Sequence, residues 1–416
     1  AEQRLLSGVQ QLGSGSPQVR IAGVYSLADV ADTYRGEYRQ RVVSILCGYL
    51  RTQRGEWRTI VNEQDRPEQS SEEKVYVSHD GAVESTVLEV LVRHLRKRRE
   101  KTKHREAVTQ LVEDDQLWCD CTIDLHGAVL TEIADFRGAT FTNDANFGRA
   151  TFTNDANFER ATFTNDANFS GATFKARANF QDATFTNDAN FSGATFKARA
   201  NFWDATFTDH AYFSGATFTN HAYFSGATFT NHAYFSGATF TNHAYFGGVT
   251  FTNDANFGRA TFTNVAYFGR ATFNRDAYFS GATFTNHANF RGATFTNDAN
   301  FGRATFTNHA DFSGATFNRV AIFRGATFNR VAYFSGATFT DHAYFSGATF
   351  NRANFSGATF SRSAPPRGLP PEQVDEDGLP HGARWADADD EGPEAGSPDD
   401  APAEGTGPGS AGSAAS

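Results

Sequence analysis

Ala150-Thr151-Phe152-Thr153-Asn154-Asp155-Ala156-Asn157-Phe158-Glu159-Arg160 is the stretch that decides the fold. It is one copy of an 11-residue unit with a six-residue half and a five-residue half. The unit generates Phe136, Phe141, Phe147, Phe152 and their successors at steps alternating five and six as far as Phe350; Phe355 and Phe360 then follow at steps of five. Of the 42 Phe, 41 have Ala two positions earlier, and Phe251 has Val249. Ala inward, a polar residue outward and Phe inward is the period of an extended segment, because a helix cannot keep residues i and i+2 on one face. Ser-Gly, Gly-Arg, Arg-Gly, Thr-Asn or Asn-Arg follows most of the Phe, and these residues suit tight corners. Each unit therefore reads as brief strands joined by corners, and it buries its apolar face only by stacking on its neighbours.

Outward from this array the chemistry changes on both sides. All 42 Phe lie between Phe136 and Phe360, whereas Leu, Val and Ile dominate the first 135 residues. Residues 1–12 read as a helix stopped by Gly13-Ser14-Gly15-Ser16-Pro17. Apolar stripes at helical spacing follow through Val19–Val30, Val42–Leu50 and Val83–Leu95. The polar stretch 52–80, broken by Pro67, reads as a long loop. Arg93, Arg96, Lys97, Arg98, Arg99, Lys101, Lys103 and Arg105 form a basic run, read as a solvated face or, on the alternative, a docking site for acidic lipid, nucleic acid or the acidic tail. The expected organisation is an α-helical domain over 1–118, a β-solenoid over 119–362 and a disordered Pro/Gly/Ala/acidic tail over 363–416. With nothing evident to cover the coil around Phe355 and Phe360, a homodimer through the C-terminal coils is expected.

Charge and cysteine usage narrow the function classes. The formal charge of −10 resides mainly in the tail; residues 136–360 carry 16 basic and 13 acidic side chains, a formal +3. A nearly neutral rod argues against DNA binding and against imitation of DNA alike. Cys47, Cys119 and Cys121 are too few for a disulfide framework and fit a reduced, cytoplasmic compartment; the C-x-C pair reads as junction residues rather than zinc ligands. No run of about 18 apolar residues exists to span a membrane. The chain contains no Met and opens at Ala1 within a helical pattern, so an upstream piece is expected, and a membrane anchor there would tether the protein.

With Ile123-Asp124-Leu125-His126-Gly127-Ala128-Val129-Leu130 and the Ala-x-Phe units in view, the chain resembles the pentapeptide-repeat family over some 240 residues. The resemblance implies a right-handed quadrilateral β-helix with four repeats per coil. The extra residue in alternate repeats departs from the family pattern and predicts coils of 22, with the insertions on two opposite corners. Leu125, Leu130 and the Phe series then give 11 coils, a rod of roughly 50 Å at about 4.8 Å per coil. The N-terminal stretch, on Val9-Gln10-Gln11-Leu12-Gly13-Ser14, Val19-Arg20-Ile21-Ala22-Gly23-Val24-Tyr25-Ser26-Leu27 and Leu46-Cys47-Gly48-Tyr49-Leu50-Arg51, is similar to a helical region preceding such repeats in bacterial proteins, whose relatives often carry membrane helices ahead of it.

Residues 22 apart then form outward columns. One inserted corner reads Asp144, Asp166, Asp188, His210, His232, Asp254, Asp276, Asp298, Val320, His342; the opposite corner reads Asp155, Arg177, Arg199, His221, His243, Val265, His287, His309, Val331. His210 with His232, His221 with His243, and His287 with His309 are candidate metal pairs, though each lacks a fixed third ligand and repeat drift explains them equally. Tyr212 over Tyr234 and Tyr223 over Tyr245 are candidate partner surfaces, against the reading that strand-favouring residues merely cover the wall. No nucleophile, base and oxyanion set, Walker loop or dinucleotide fingerprint is present, so neither an enzyme nor a cofactor is expected. The expected function is a non-enzymatic scaffold for an unidentified protein partner. The alternatives are a DNA-mimicking gyrase-binding protein, which the resemblance implies and the charge disfavours, and a membrane-surface module using the basic run.

Overall fold

The computed structural model describes residues 1–61, 72–102 and 106–386. Helices α1 (Glu2–Leu12), α2 (Pro17–Tyr34), α3 (Gly36–Arg51) and α4 (Gly81–Leu95) form the N-terminal part, with the hairpin β1 (Gly55–Val61) and β2 (Glu72–Ser78) between α3 and α4. Beyond residue 123 the chain winds as a right-handed quadrilateral solenoid of about 12 turns.

Four parallel ladders make the walls. The first coil places Ile123–Asp124, Val129–Leu130, Ala134–Asp135 and Thr140–Phe141 on walls one to four. Each pairs with the segment 22 residues on, as Thr162 does with Thr184 and Ala167 with Ala189. Backbone donors point opposite ways on adjacent walls: Thr162 N donates back to Ala139 O at 2.8 Å, whereas Ala167 N donates forward to Asp188 O at 2.9 Å. Adjacent ladder dipoles therefore oppose, and each end of the rod presents both donors and acceptors that need a cap.

The Phe rings enter a common interior and stack along the axis, Phe196 on Phe218 at 4.8 Å and 1°. Across the axis they meet edge to face, Phe202 with Phe213 at 5.4 Å and 90°, which suits the ring quadrupole. Where Val249 replaces Ala, Phe251 tilts 13° from Phe229, because the added methyls crowd the ring seat. Every Phe is buried except Phe350, which is only partly covered near the C-terminal end.

Two corner types follow from the sequence. In the five-residue half, Ala172 N donates to Phe169 O at 3.0 Å, closing a turn whose third residue, Gly171, has φ +63°. A left-handed residue is required there, and Gly supplies it without steric cost. Arg149, Arg160, Asp182, Asp204, Arg259, Arg270 and Arg303 take the same position at φ 52–57° and carry the associated strain. In the six-residue half, Asn side chains bridge coils, as Asn187 Nδ2 does to Asn165 Oδ1 at 3.1 Å.

Several expectations change here. The 52–80 stretch is not simply a loop: β1 and β2 pair antiparallel, Gly55 opposite Ser78. Strand-favouring runs Trp57-Arg58-Thr59-Ile60 and Val75-Tyr76-Val77 explain it. Pro67 lies outside the described residues. Lys175, on the third coil, holds the hairpin to the rod, its ammonium 2.7 Å from Lys74 O and 4.7 Å from the Trp57 ring centroid. The basic run is partly a joint: Arg99 donates to Gly138 O and Arg160 O at 2.7 Å each, and Arg96 donates to Arg137 O at 2.9 Å. Lys103 and Arg105 lie outside the described residues.

The C-terminal correction is larger. Residues 363–386, expected to be disordered, form a further irregular turn: Arg384–Trp385 pairs with Thr359–Phe360, Leu379 is buried, and Ala383 and Trp385 pack on the core. Arg384 N donates to Ala358 O and Ala386 N to Phe360 O, both at 2.9 Å; Phe345 N donates to Arg367 O at 2.8 Å. The rod thus has about 12 turns rather than 11, and the open coil that motivated a dimer is covered. Residues 387–416 lie outside the described residues. Removing the cap is expected to create what the native end avoids. A chain ending at Ser363 should self-associate in sedimentation velocity at concentrations where the full chain does not; equal behaviour of the two would refute the capping role.

Candidate functional surfaces

The helical domain seats the first coil. Cys47 and Leu50 of α3 and Val87 and Leu91 of α4 belong to one continuous core with Ile123, Leu125 and Phe136. Trp118 stacks on His94 at 3.9 Å, and both reach Asp32, Trp118 Nε1 at 3.0 Å and His94 Nε2 at 3.2 Å. Cys119 and Cys121 lie buried in this joint, and burial pushes their thiols up to about 11 and about 12; Cys47 is likewise raised to about 12. At pH 8 the native chain is expected to show almost no reaction with a thiol-specific disulfide reagent, and three equivalents after denaturation. Fast reaction of the native chain would contradict the burial.

On the walls, the columns stand where the 22-residue register puts them. Tyr212 stacks on Tyr234 at 5.2 Å on wall one; Tyr223, Tyr245 and Tyr267 stack at 4.8 and 5.0 Å on wall three. The Arg199 guanidinium lies 4.4 Å from the Tyr223 ring centroid. All five rings are half-buried. The Tyr ladders replace an Asn ladder running through the preceding coils, in which Asn201 Nδ2 donates to Asn179 Oδ1 at 3.0 Å.

The histidines flank these rings. His210 and His232 lie 5.5 Å apart, His221 and His243 5.1 Å, and His287 and His309 5.0 Å. His221 Nδ1 meets Asn220 Oδ1 at 2.6 Å, and His232 and His243 meet Asn231 and Asn242 at 2.7 Å. Burial, then His243 and Arg199, hold the His221 imidazolium below its ordinary pKa. Among the described residues, one trio has ligand atoms mutually within 4.8 Å: Asp188, Asp209 and His210. The pairing of His210 with His232 leaves out Asp209, which stands in a column that reads Asn165 and Asn187 before it and Asn231 and Asn253 after it.

A solenoid with a continuous ring core, capped ends and repeated side-chain columns defines a repeat protein whose chemistry is on its walls. The family profile described as pentapeptide repeats matches in nine copies, in segments that together cover residues 125–364. The chain belongs to the pentapeptide-repeat family. No curated protein and no solved structure matches it. Among the described residues, no helix is long and apolar enough to cross a membrane.

Proposed function

We propose that this chain is a non-enzymatic scaffold that presents its walls to a protein partner. The two Tyr ladders on opposite walls carry the reading: stacked, held rings offer contact area at little entropic cost, and aromatic residues with adjacent Arg are enriched at interfaces. The helical domain and the C-terminal turn are caps that keep the rod ends from pairing.

Charge distribution weighs against the DNA-mimic alternative. Residues 136–256 carry seven basic and nine acidic side chains, whereas 257–360 carry nine Arg and four Asp, so half the rod has the wrong sign. The membrane-surface alternative loses Arg96 and Arg99 to the domain joint.

The test uses in-cell crosslinking of the full chain against a variant carrying Tyr223→Ser, Tyr245→Ser and Tyr267→Ser. Circular dichroism should be unchanged and a specific crosslinked protein lost. An unchanged crosslinking pattern would remove the ladders from the function; gyrase inhibition by the parent in a supercoiling assay would replace the scaffold reading.

A further inference from the structure

We propose that Asp188, Asp209 and His210 bind one divalent first-row transition-metal ion. Asp188 comes from one coil, and Asp209 and His210 from the next, so the site exists only because the winding brings positions 22 apart into register. His210 Nδ1 lies 3.2 Å from Asp188 Oδ1 and 2.8 Å from Asp209 Oδ1, and all three ligand atoms fall within 4.8 Å of one another. An ion bound by an imidazole nitrogen and two carboxylate oxygens would displace the proton on Nδ1, leaving Nε2 protonated.

The donors are held from outside. Asn231 Nδ2, one coil further on, donates to Asp209 Oδ1 at 2.8 Å. The His210 ring lies parallel to Tyr212 at 5.8 Å and to His232 at 5.5 Å, which fixes its plane. Outer contacts of this kind orient metal ligands. On the other side stand Asp166 and Asp144 in the same column. Burial, then the charges of Asp188, Asp144 and Asp209, raise the Asp166 carboxyl, a sign of negative charge gathered along this corner. A cation relieves that repulsion.

The rod contains its own comparison. Thr208-Asp209-His210-Ala211-Tyr212-Phe213 recurs as Thr340-Asp341-His342-Ala343-Tyr344-Phe345. At the second copy the residue one coil earlier is Val320 instead of Asp188, so the second carboxylate is missing. Cations crowd that corner as well: Arg367 Nη2 lies 3.2 Å from His342 Nε2, and Arg319 acts on Asp341. At the corners of His221, His232 and His243 a neutral Asn amide faces Nδ1. Three donors with the outer side open suit Zn²⁺, Mn²⁺ or Co²⁺, completed by water. The site stands whether or not the scaffold reading holds.

Titration calorimetry of the full chain with Zn²⁺ and with Mn²⁺ tests it, alongside Asp188→Asn, His210→Asn and His342→Asn. Asn is what the repeats themselves place at neighbouring corner positions, and unchanged circular dichroism will confirm folding. One equivalent should bind to the parent and to His342→Asn, and affinity should fall about tenfold or more in Asp188→Asn and His210→Asn. Binding should also weaken on acidification as protons compete for the ligands. Absence of binding to the parent overturns the assignment, and so does binding that survives His210→Asn undiminished.

Discussion

Phe235→Ala is expected to destabilise the rod by about 3–5 kcal/mol, the range for emptying a buried aromatic site. Phe235 has no solvent exposure. It stacks on Phe213 and Phe257 at 4.8 Å each, and meets Phe224 and Phe246 edge to face at 5.4 Å. The cavity cannot close by collapse, because the ladders on all four walls fix the coil spacing that sets the ring spacing. In a solenoid the loss falls on the two interfaces that the coil shares with its neighbours, so denaturant unfolding should broaden or split as the halves decouple. Phe350→Ala is the comparison: Phe350 is only partly buried and stacks on Phe328 alone, so its loss should cost clearly less. A Phe235→Ala variant within about 1 kcal/mol of the parent would mean that the ring column does not carry the fold.

The second large effect is expected at Glu84. This carboxylate is fully buried, 2.5 Å from Arg54 Nη1, and it accepts from Thr131 N at 2.6 Å, Glu132 N at 3.0 Å and Thr131 Oγ1 at 3.0 Å. Arg54 also donates to Leu50 O at 3.1 Å and Val129 O at 2.6 Å. The pair therefore ties α3 and α4 to the first coil of the solenoid. Glu84→Ala leaves a buried guanidinium without its counter-charge and two backbone donors without an acceptor, a cost of about 3–5 kcal/mol. Arg54 Nε, which has no hydrogen-bond partner, shows that the site has little spare capacity to compensate. Restoring an apolar pair with Arg54→Met and Glu84→Leu should recover part of the loss. Urea unfolding of the parent, Glu84→Ala and the double variant checks this, and an unaffected Glu84→Ala would show the joint to be held by the apolar contacts alone.

The sequence was legible wherever it repeats. Inward Phe and Ala, 22-residue coils, inserted corners and the vertical stacking of Tyr212 on Tyr234 all follow from a single 11-residue unit. The helical stripes of α2 to α4 were equally plain, since Val24, Leu27, Val42, Leu46, Leu50, Val87 and Leu91 are all buried. Three features were not. The β1–β2 hairpin is amphipathic only weakly, with Trp57 and Ile60 left exposed, so its composition resembled a loop. The closing turn has a few apolar anchors, Leu369, Leu379 and Trp385, in a setting of Pro, Gly and acid, and no period. Asp209 sits one column away from the His and Asp column that drew attention.

What the sequence determined alone is the wound rod, because every repeat presents the same inward side chains and each wall can satisfy its backbone only on a copy one coil away. What the tertiary structure decided is everything that joins unlike parts: Glu84 against Thr131, Lys175 on the hairpin, Arg384 closing on Ala358, and Asp188 beside Asp209 and His210. Such contacts unite residues with no shared period or motif, and their energy depends on distances and burial that exist only once the chain is folded.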